Sequence, residues 1–145
     1  GFVSGNGTTT KISNYSFSDK PFAAGSYTYR LKQVDFDGSF SFSNEVNADI
    51  SNPDAFSLSQ NYPNPFNPST SISFSLPEAS NVRITVFDVV GNKVTELVNG
   101  NFATGWHKAD FDASKMNSGI YLYTITAQSV NGKSFSATRK MMLLK

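Results

Sequence analysis

Four acidic residues of this sequence have the spacing that carboxylate chemistry requires. Asp110 and Asp112 lie two apart on a predicted strand, so their carboxylates share one face about 7 Å apart. That separation suits a catalytic carboxylate pair or a calcium site, but no further acidic ligand accompanies them, and we expect Asp112 to cap the turn before Met116. The run Asp35-Phe36-Asp37-Gly38 begins like a calcium loop. Its twelfth position is Val46 rather than glutamate, which favours a simple turn.

His107 is the single histidine among 145 residues, and cysteine is absent. A Cys–His pair and a histidine-rich zinc site therefore cannot be built. We expect His107 to be a satisfied or solvent-facing strand residue. The sequence also has no glycine-rich phosphate loop and no nucleophile elbow. We predict a chain with no enzyme activity, no cofactor and no metal site.

Aromatic side chains offer a different chemistry, the binding of sugars. Tyr62, Phe66, Phe102 and Trp106 can form a stacking platform like the exposed rings of carbohydrate-binding β-sandwich modules. The competing interpretation is that these rings fill a core or cover a sheet edge. The formal net charge of +1 gives no basis for nucleic-acid binding, and no apolar run is long enough to span a membrane.

The elements that must position these side chains are strands. Thirteen Phe, six Tyr and abundant Ser, Thr, Val and Ile favour half-buried pleated surfaces over helices. Ile72, Phe74 and Leu76 alternate with serines, so we expect the apolar set to face a core and the serines to face water. Turn signals, among them Gly91-Asn92 and Asn131-Gly132, separate seven predicted strands near 56–60, 71–76, 82–88, 93–98, 105–111, 119–128 and 133–144. Seven strands in about 90 residues predict an all-β fold, an immunoglobulin-like β-sandwich.

The first fifty residues repeat part of this pattern. Residues 22–29 match residues 116–123 in the form apolar-x-small-Gly-x-Tyr-x-Tyr at an offset of 94, and a hairpin signal follows each copy. Only 26 residues precede Tyr27, whereas Tyr121 lies 65 residues after Phe56. We therefore expect residues 1–50 to be the C-terminal part of another sandwich, joined by a linker at 51–55 to a complete one at 56–145. Its uncovered apolar face predicts packing on the following domain or self-association with a second copy.

Asn61 to Thr70 contains three prolines and three asparagines around one Tyr and one Phe. Each proline fixes φ and removes an N–H, and each residue before a proline is pushed out of the helical region. The segment must therefore be extended and kinked, and it is stiff enough to be recognised as a shape. We interpret it as a domain boundary that can also serve as a recognition surface.

The end of the chain is locally basic. No acidic residue follows Asp112, and the basic residues after it are Lys115, Lys133, Arg139, Lys140 and Lys145. Two interpretations of the last strand stay open. Its charges either keep an edge strand soluble or belong to a terminal signal that a partner reads by strand addition.

Four separated motifs resemble the type A C-terminal sorting domain of the type IX (Por) secretion system. They occur in the family's order over about residues 56–145, at 61–70, 80–91, 116–121 and 140–145. The departures are apolar exchanges at Phe87, Phe111 and Met116. Residues 1–50 resemble the end of a fibronectin-III-like or related immunoglobulin-like domain.

The resemblance implies a non-catalytic targeting domain that directs a cargo protein across the outer membrane of a Gram-negative bacterium, to the cell surface or the medium. The implied partners are translocon and shuttle proteins and a sortase-like surface protease that removes the domain. The implied recognition residues are Pro63, Asn64, Pro65, Phe66, Asn67, Pro68, Gly119, Tyr121, Lys140 and Lys145. The alternatives are a carbohydrate-binding module, with Tyr62, Phe102 and Trp106 as its platform, or a structural spacer of a secreted multidomain enzyme.

Overall fold

A computed structural model describes residues 1–7, 12–17, 19 and 24–145. The chain divides into two compact units, Gly1–Ser51 and Asn52–Lys145. Within the described residues, no helix is long and apolar enough to cross a membrane.

The first unit contains four short strands, β1 (Gly25–Tyr29), β2 (Lys32–Val34), β3 (Phe40–Phe42) and β4 (Val46–Ile50). β1 pairs antiparallel with β4, and β2 pairs antiparallel with β3. The two pairs follow each other along one long, interrupted hairpin. It begins at Gly25, and the matching strand of the second unit begins at Gly119; their φ values are 154° and 157°. The repeat noted in the sequence is therefore a repeated hairpin, and its positions 22 and 23 lie outside the described residues.

The β1–β4 pair has one apolar face and one polar face. Tyr27 and Tyr29 lie opposite Ala48 and Val46 in the register, while Ser26 and Thr28 donate hydrogen bonds to the side chains of Asp49 and Asn47. Among the described residues of this unit, none is a buried hydrophobic side chain. Coverage of this face by a second copy or by another domain stays a prediction.

The second unit contains the seven predicted strands. They are β5 (Ser57–Leu58), β6 (Ser69–Leu76), β7 (Ser80–Phe87), β8 (Lys93–Phe102), β9 (Gly105–Asp112), β10 (Gly119–Ser129) and β11 (Ser134–Leu143). One sheet has the order β5-β6-β9 and the other the order β11-β10-β7-β8, with antiparallel pairing throughout. The predicted immunoglobulin-like sandwich is confirmed. The fourth strand, β8, pairs with the third rather than with the fifth, so the sheets hold three and four strands.

The core lies between the two sheets and is built from alternate residues of each strand. Ile72, Phe74 and Leu76 are buried as predicted, and so are Val82, Ile84 and Val86 of β7. The prediction that the serines of β6 face water is wrong for Ser75, which is 1% exposed. Its hydroxyl donates to the Ala55 carbonyl at 2.9 Å and contacts the Ser57 hydroxyl at 2.7 Å. The segment before β5 covers this serine and satisfies it.

Candidate recognition surface

The Pro-rich segment runs across one end of the second unit in an extended, kinked path. Its Tyr62–Pro63 and Asn64–Pro65 peptide bonds are cis. Tyr62 and Ser71 exchange both backbone hydrogen bonds, at 2.9 and 3.0 Å. Four residues later, Phe66 forms a parallel bridge with Leu143 of β11. The segment therefore connects β6, the middle strand of one sheet, with the terminal strand of the other.

We call the contact between residues 58–66 and residues 139–144 the seam. Two of its hydrogen bonds join backbone to backbone: the Phe66 N–H donates to the Met142 carbonyl at 2.9 Å, and the Leu144 N–H donates to the Phe66 carbonyl at 3.0 Å. Because β11 is the edge strand of its sheet, Phe66 occupies backbone groups that would otherwise be unpaired.

Side chains supply three more hydrogen bonds of the seam. The Met142 N–H donates to Asn64 Oδ1 at 2.9 Å. The Gln60 amide donates to the Lys140 carbonyl, and Arg139 Nε donates to the Leu58 carbonyl, each at 2.7 Å. The side-chain oxygen of Asn64 therefore accepts a hydrogen bond from the terminal strand.

A buried polar network holds the start of the Pro-rich segment against the core. Tyr123 is fully buried, and its hydroxyl donates to the Ser59 carbonyl and accepts from the Asn61 N–H, both at 2.8 Å. The Asn61 side-chain amide donates to the Pro63 carbonyl at 3.0 Å and to the Thr70 hydroxyl at 2.9 Å. Burial raises the pKa of Tyr123, so this phenol stays protonated and keeps its donor.

Phe66 is the apolar contact of the segment with the core. It is 2% exposed, and its ring lies 6.0 Å from that of Phe111. The other predicted recognition residues of the segment are exposed: Pro63, Asn64, Pro65, Asn67 and Pro68. Two buried side chains, Asn61 and Phe66, thus hold a stiff loop whose prolines face solvent.

The Gly-x-Tyr motif and the terminal lysines lie at the same end of the unit. Gly119 pairs with Leu143, and Tyr121 pairs with Met141. The Tyr121 hydroxyl donates to the Asn117 carbonyl at 2.8 Å. Lys145 Nζ donates to the Ser114 carbonyl at 2.7 Å, whereas Lys140 is exposed and its amine has no ion pair within the described residues. The structure brings all ten of the predicted recognition residues to one end of the sandwich.

Sequence reasoning missed the residues that hold these motifs together, above all Tyr123, Asn61 and Gln60. Tyr123 had a signal, because it is the second tyrosine of the repeated Gly-x-Tyr-x-Tyr pattern. No local pattern indicates the bond of the Asn61 N–H to Tyr123, 62 residues away, or that of the Gln60 side chain to Lys140, 80 residues away.

The carboxylates considered for catalysis or calcium binding have other partners. Asp110 accepts from the Ser71 hydroxyl at 2.6 Å and pairs with Lys108 at 2.9 Å, and these contacts lower its pKa. Asp112 accepts from the Ser114 N–H at 2.8 Å, so it caps the turn before Met116 as predicted. Among the described residues, no group of three or more His, Asp or Glu side chains could hold a metal ion.

The three rings considered as a sugar platform do not all lie on one face. Tyr62 pairs with Ser71 and Trp106 pairs with Ser75, so these two rings lie on the same outward face of the sheet, about 13 Å apart along β6. Phe102 packs on the core-facing rings of Phe74 and His107, on the opposite face of β9 from Trp106. His107 itself contacts the Ala103 carbonyl at 2.8 Å, so it is a satisfied histidine. The alternation of strand faces separates rings that are near in sequence.

Comparison with known proteins gives a matching family and several solved chains of similar structure. A family model described as a secretion system C-terminal sorting domain matches residues 60–142. A crystal structure of dimeric latent PorU from Porphyromonas gingivalis is similar over 84% of this chain and 12% of that chain, with a TM-score of 0.50 and 18% sequence identity. At that identity the similarity shows the fold alone. A search of curated proteins finds no match.

Proposed function

The chain belongs to the secretion system C-terminal sorting domain family, whose members direct proteins through the type IX (Por) system, and we propose that its seam is the export address. In this proposal the exposed prolines and asparagines of the segment and the terminal residues of β11 form one composite surface. Translocon and shuttle proteins recognise it as a folded shape rather than as two separate peptides.

The seam itself carries this proposal. Five hydrogen bonds connect residues 58–66 with residues 139–144, although the two segments lie more than seventy residues apart in the chain. Such a preorganised surface has little conformational entropy left to lose when a partner binds. A signal recognised as a linear peptide would not need hydrogen bonds between the two segments. A structural spacer would not need exposed prolines next to those hydrogen bonds.

The seam also bears on the two interpretations of the last strand. A partner that reads the end of β11 by strand addition needs its free backbone groups, yet Phe66 already pairs with Met142 and Leu144 there. In our proposal the partner therefore reads side chains and loop shape at this end. The recognition residues are those of the family motif, from Pro63 to Pro68 with Gly119, Tyr121, Lys140 and Lys145.

The chain acts in this proposal as a non-catalytic tail of a cargo that passes through the periplasm to the cell surface or the medium. A sortase-like surface protease then removes the tail. The segment Ser51–Ala55 is a suitable position for that cleavage, because it contains no strand and only Pro53 within it is buried. We expect mass spectrometry of the released cargo to find its C-terminus within this segment.

The experiment for the address is an export assay in a bacterium with this secretion system. A periplasmic reporter is fused to residues 1–145 and compared with the same fusion lacking Arg139 to Lys145. We expect the first reporter at the surface or in the medium and the second in the periplasm. Normal export of the truncated fusion would contradict the proposal, because the truncation removes every β11 residue of the seam.

A further inference from the structure

The outer face of the four-stranded sheet is divided into a polar end and an apolar end. At the polar end the outward residues are Asn81, Arg83, Thr126, Gln128, Ser134 and Ser136. At the other end the outward positions of the same strands hold Phe87, Ile120, Leu122 and Met142, which are partly buried or exposed. These apolar residues point away from the core, and a face that only contacts water does not need them. An exposed apolar patch of this kind is typical of an interaction site.

The turn between β7 and β8 extends the apolar end into solvent. Val89 is 68% exposed and Val90 is 82% exposed. Two valines are poor turn residues, because turns favour Asn, Asp, Gly, Ser and Pro. Asp88 makes the turn rigid, since its carboxylate accepts from the N–H groups of Val90 and Asn92 at 2.9 Å and from the Asn92 side chain at 2.8 Å. The valines are therefore presented in a fixed position.

The rim of this surface has an excess of positive charge. Lys140 pairs with Leu122 in the register, and its amine has no ion pair within the described part of the chain. Two carboxylates of the neighbouring strand and turn already have partners: Asp88 accepts hydrogen bonds within its own turn, and Glu96 pairs with Lys93 at 3.2 Å and Arg83 at 3.6 Å. A ligand that supplies a carboxylate would complement the rim.

We propose that this valine-turn patch, formed by Phe87, Val89, Val90, Ile120, Leu122 and Met142 beside Lys140, binds a protein partner that presents apolar side chains next to carboxylates. The inference rests on the proposed function, in that the partner belongs to the export machinery. The patch continues the seam, because the Met142 backbone lies in the seam while its side chain lies on the patch. A lipid surface fits less well, since membrane binding through charge takes a cluster of about four to eight basic residues.

The test uses the reporter fused to residues 1–145 with Val89→Asn and Val90→Asn together. The matched control is Val130→Asn, an equally exposed valine (77%) in the turn between β10 and β11. We expect the double variant to lower export by about tenfold or more, the loss that corresponds to one or two buried valine contacts, and the control to export normally. All three chains should keep the same thermal midpoint within about 2 °C, because the changed residues are exposed.

The outcomes separate this inference from the proposed function. If the unchanged fusion is not exported, the proposed function fails. If it is exported and the double valine variant is exported equally well, the patch inference is overturned while the proposed function stands.

Two further measurements test the chemistry of the partner. A photo-cross-linking residue in place of Val90 should give one discrete protein adduct during export, and Lys140→Glu should suppress it at least about tenfold. If the yield of the adduct is unchanged by Lys140→Glu, the claim that the partner supplies a carboxylate is refuted. The purified chain is also tested for flotation with phosphatidylglycerol vesicles. If it floats with them and the double valine variant does not, the ligand of the patch is a membrane and the proposal of a protein partner is overturned.

Discussion

The hydroxyl of Tyr123 gives the sharpest test of how the Pro-rich segment is held. Tyr123→Phe removes one oxygen and leaves the buried ring in place. The Asn61 N–H loses its acceptor and the Ser59 carbonyl loses its donor, both at 2.8 Å in the intact chain. Because these groups are buried or partly buried, each lost bond costs about 1–1.5 kcal/mol. We expect the free energy of unfolding of the second unit to fall by about 2–3 kcal/mol.

Tyr121→Phe is the matched control. Its hydroxyl makes a single hydrogen bond, to the Asn117 carbonyl in an exposed loop, and its loss should cost about 0.5 kcal/mol. Urea denaturation followed by the fluorescence of Trp106 measures both variants, because this is the only tryptophan and it lies in the second unit. Hydrogen exchange of the Asn61 amide should also accelerate in Tyr123→Phe alone. Equal destabilisation by the two substitutions would refute the buried network as the support of the segment.

Three further predictions concern the same unit. Gly119→Ala should lower the free energy of unfolding by about 1–2 kcal/mol, because φ is +157° there and the strain does not come from crowding at the Cβ position, which is open space. Gly100→Ala, also in open space, should be nearly neutral. Equal midpoints of the two variants in urea would contradict this. The raised pKa of Tyr123 means that its protonated form stabilises the fold, so stability should hold below the ordinary value of 10.0 and fall as the pH rises above it; an identical alkaline unfolding curve for Tyr123→Phe would count against this. Glu78, whose pKa is lowered by hydrogen bonds from Lys133 and Asn131, should stabilise the unit above its ordinary value of 4.5 and lose that effect as the pH falls; Glu78→Gln should flatten this acid limb, and an unchanged limb would refute the contact.

Strands and core could be predicted from the sequence because their signals are local. Ile72, Phe74 and Leu76 repeat every second residue, which specifies both a strand and its buried face. Asp112 could be assigned to a turn cap for the same reason, since its partner Ser114 is two residues away. Such assignments need no knowledge of the rest of the chain.

The arrangement of the recognition surface could not be predicted, because it depends on partners distant in sequence. The Pro-rich segment and the terminal strand were found as two motifs, and nothing in either one shows that Asn64 accepts from Met142. The separation of Phe102 from the other two rings of the sugar platform could not be predicted for a related reason: Trp106 and Phe102 are near in sequence but lie on opposite faces of β9. Ser75 was misplaced because the segment that covers it precedes β5 and has no strand pattern.

The central claim is that the seam, rather than either motif alone, is the export address. The direct test replaces two seam side chains, Gln60→Ala with Asn64→Ala, in the reporter fused to residues 1–145. The control is Asn81→Ala with Asn101→Ala, a pair of exposed amides outside the seam and outside the recognition residues that hydrogen-bond each other at 3.0 Å between β7 and β8. The fraction of reporter outside the cell is measured for each fusion, with circular dichroism to confirm that the sheets persist. We predict that the seam variant stays in the periplasm while the control is exported; normal export of a folded seam variant would contradict the account.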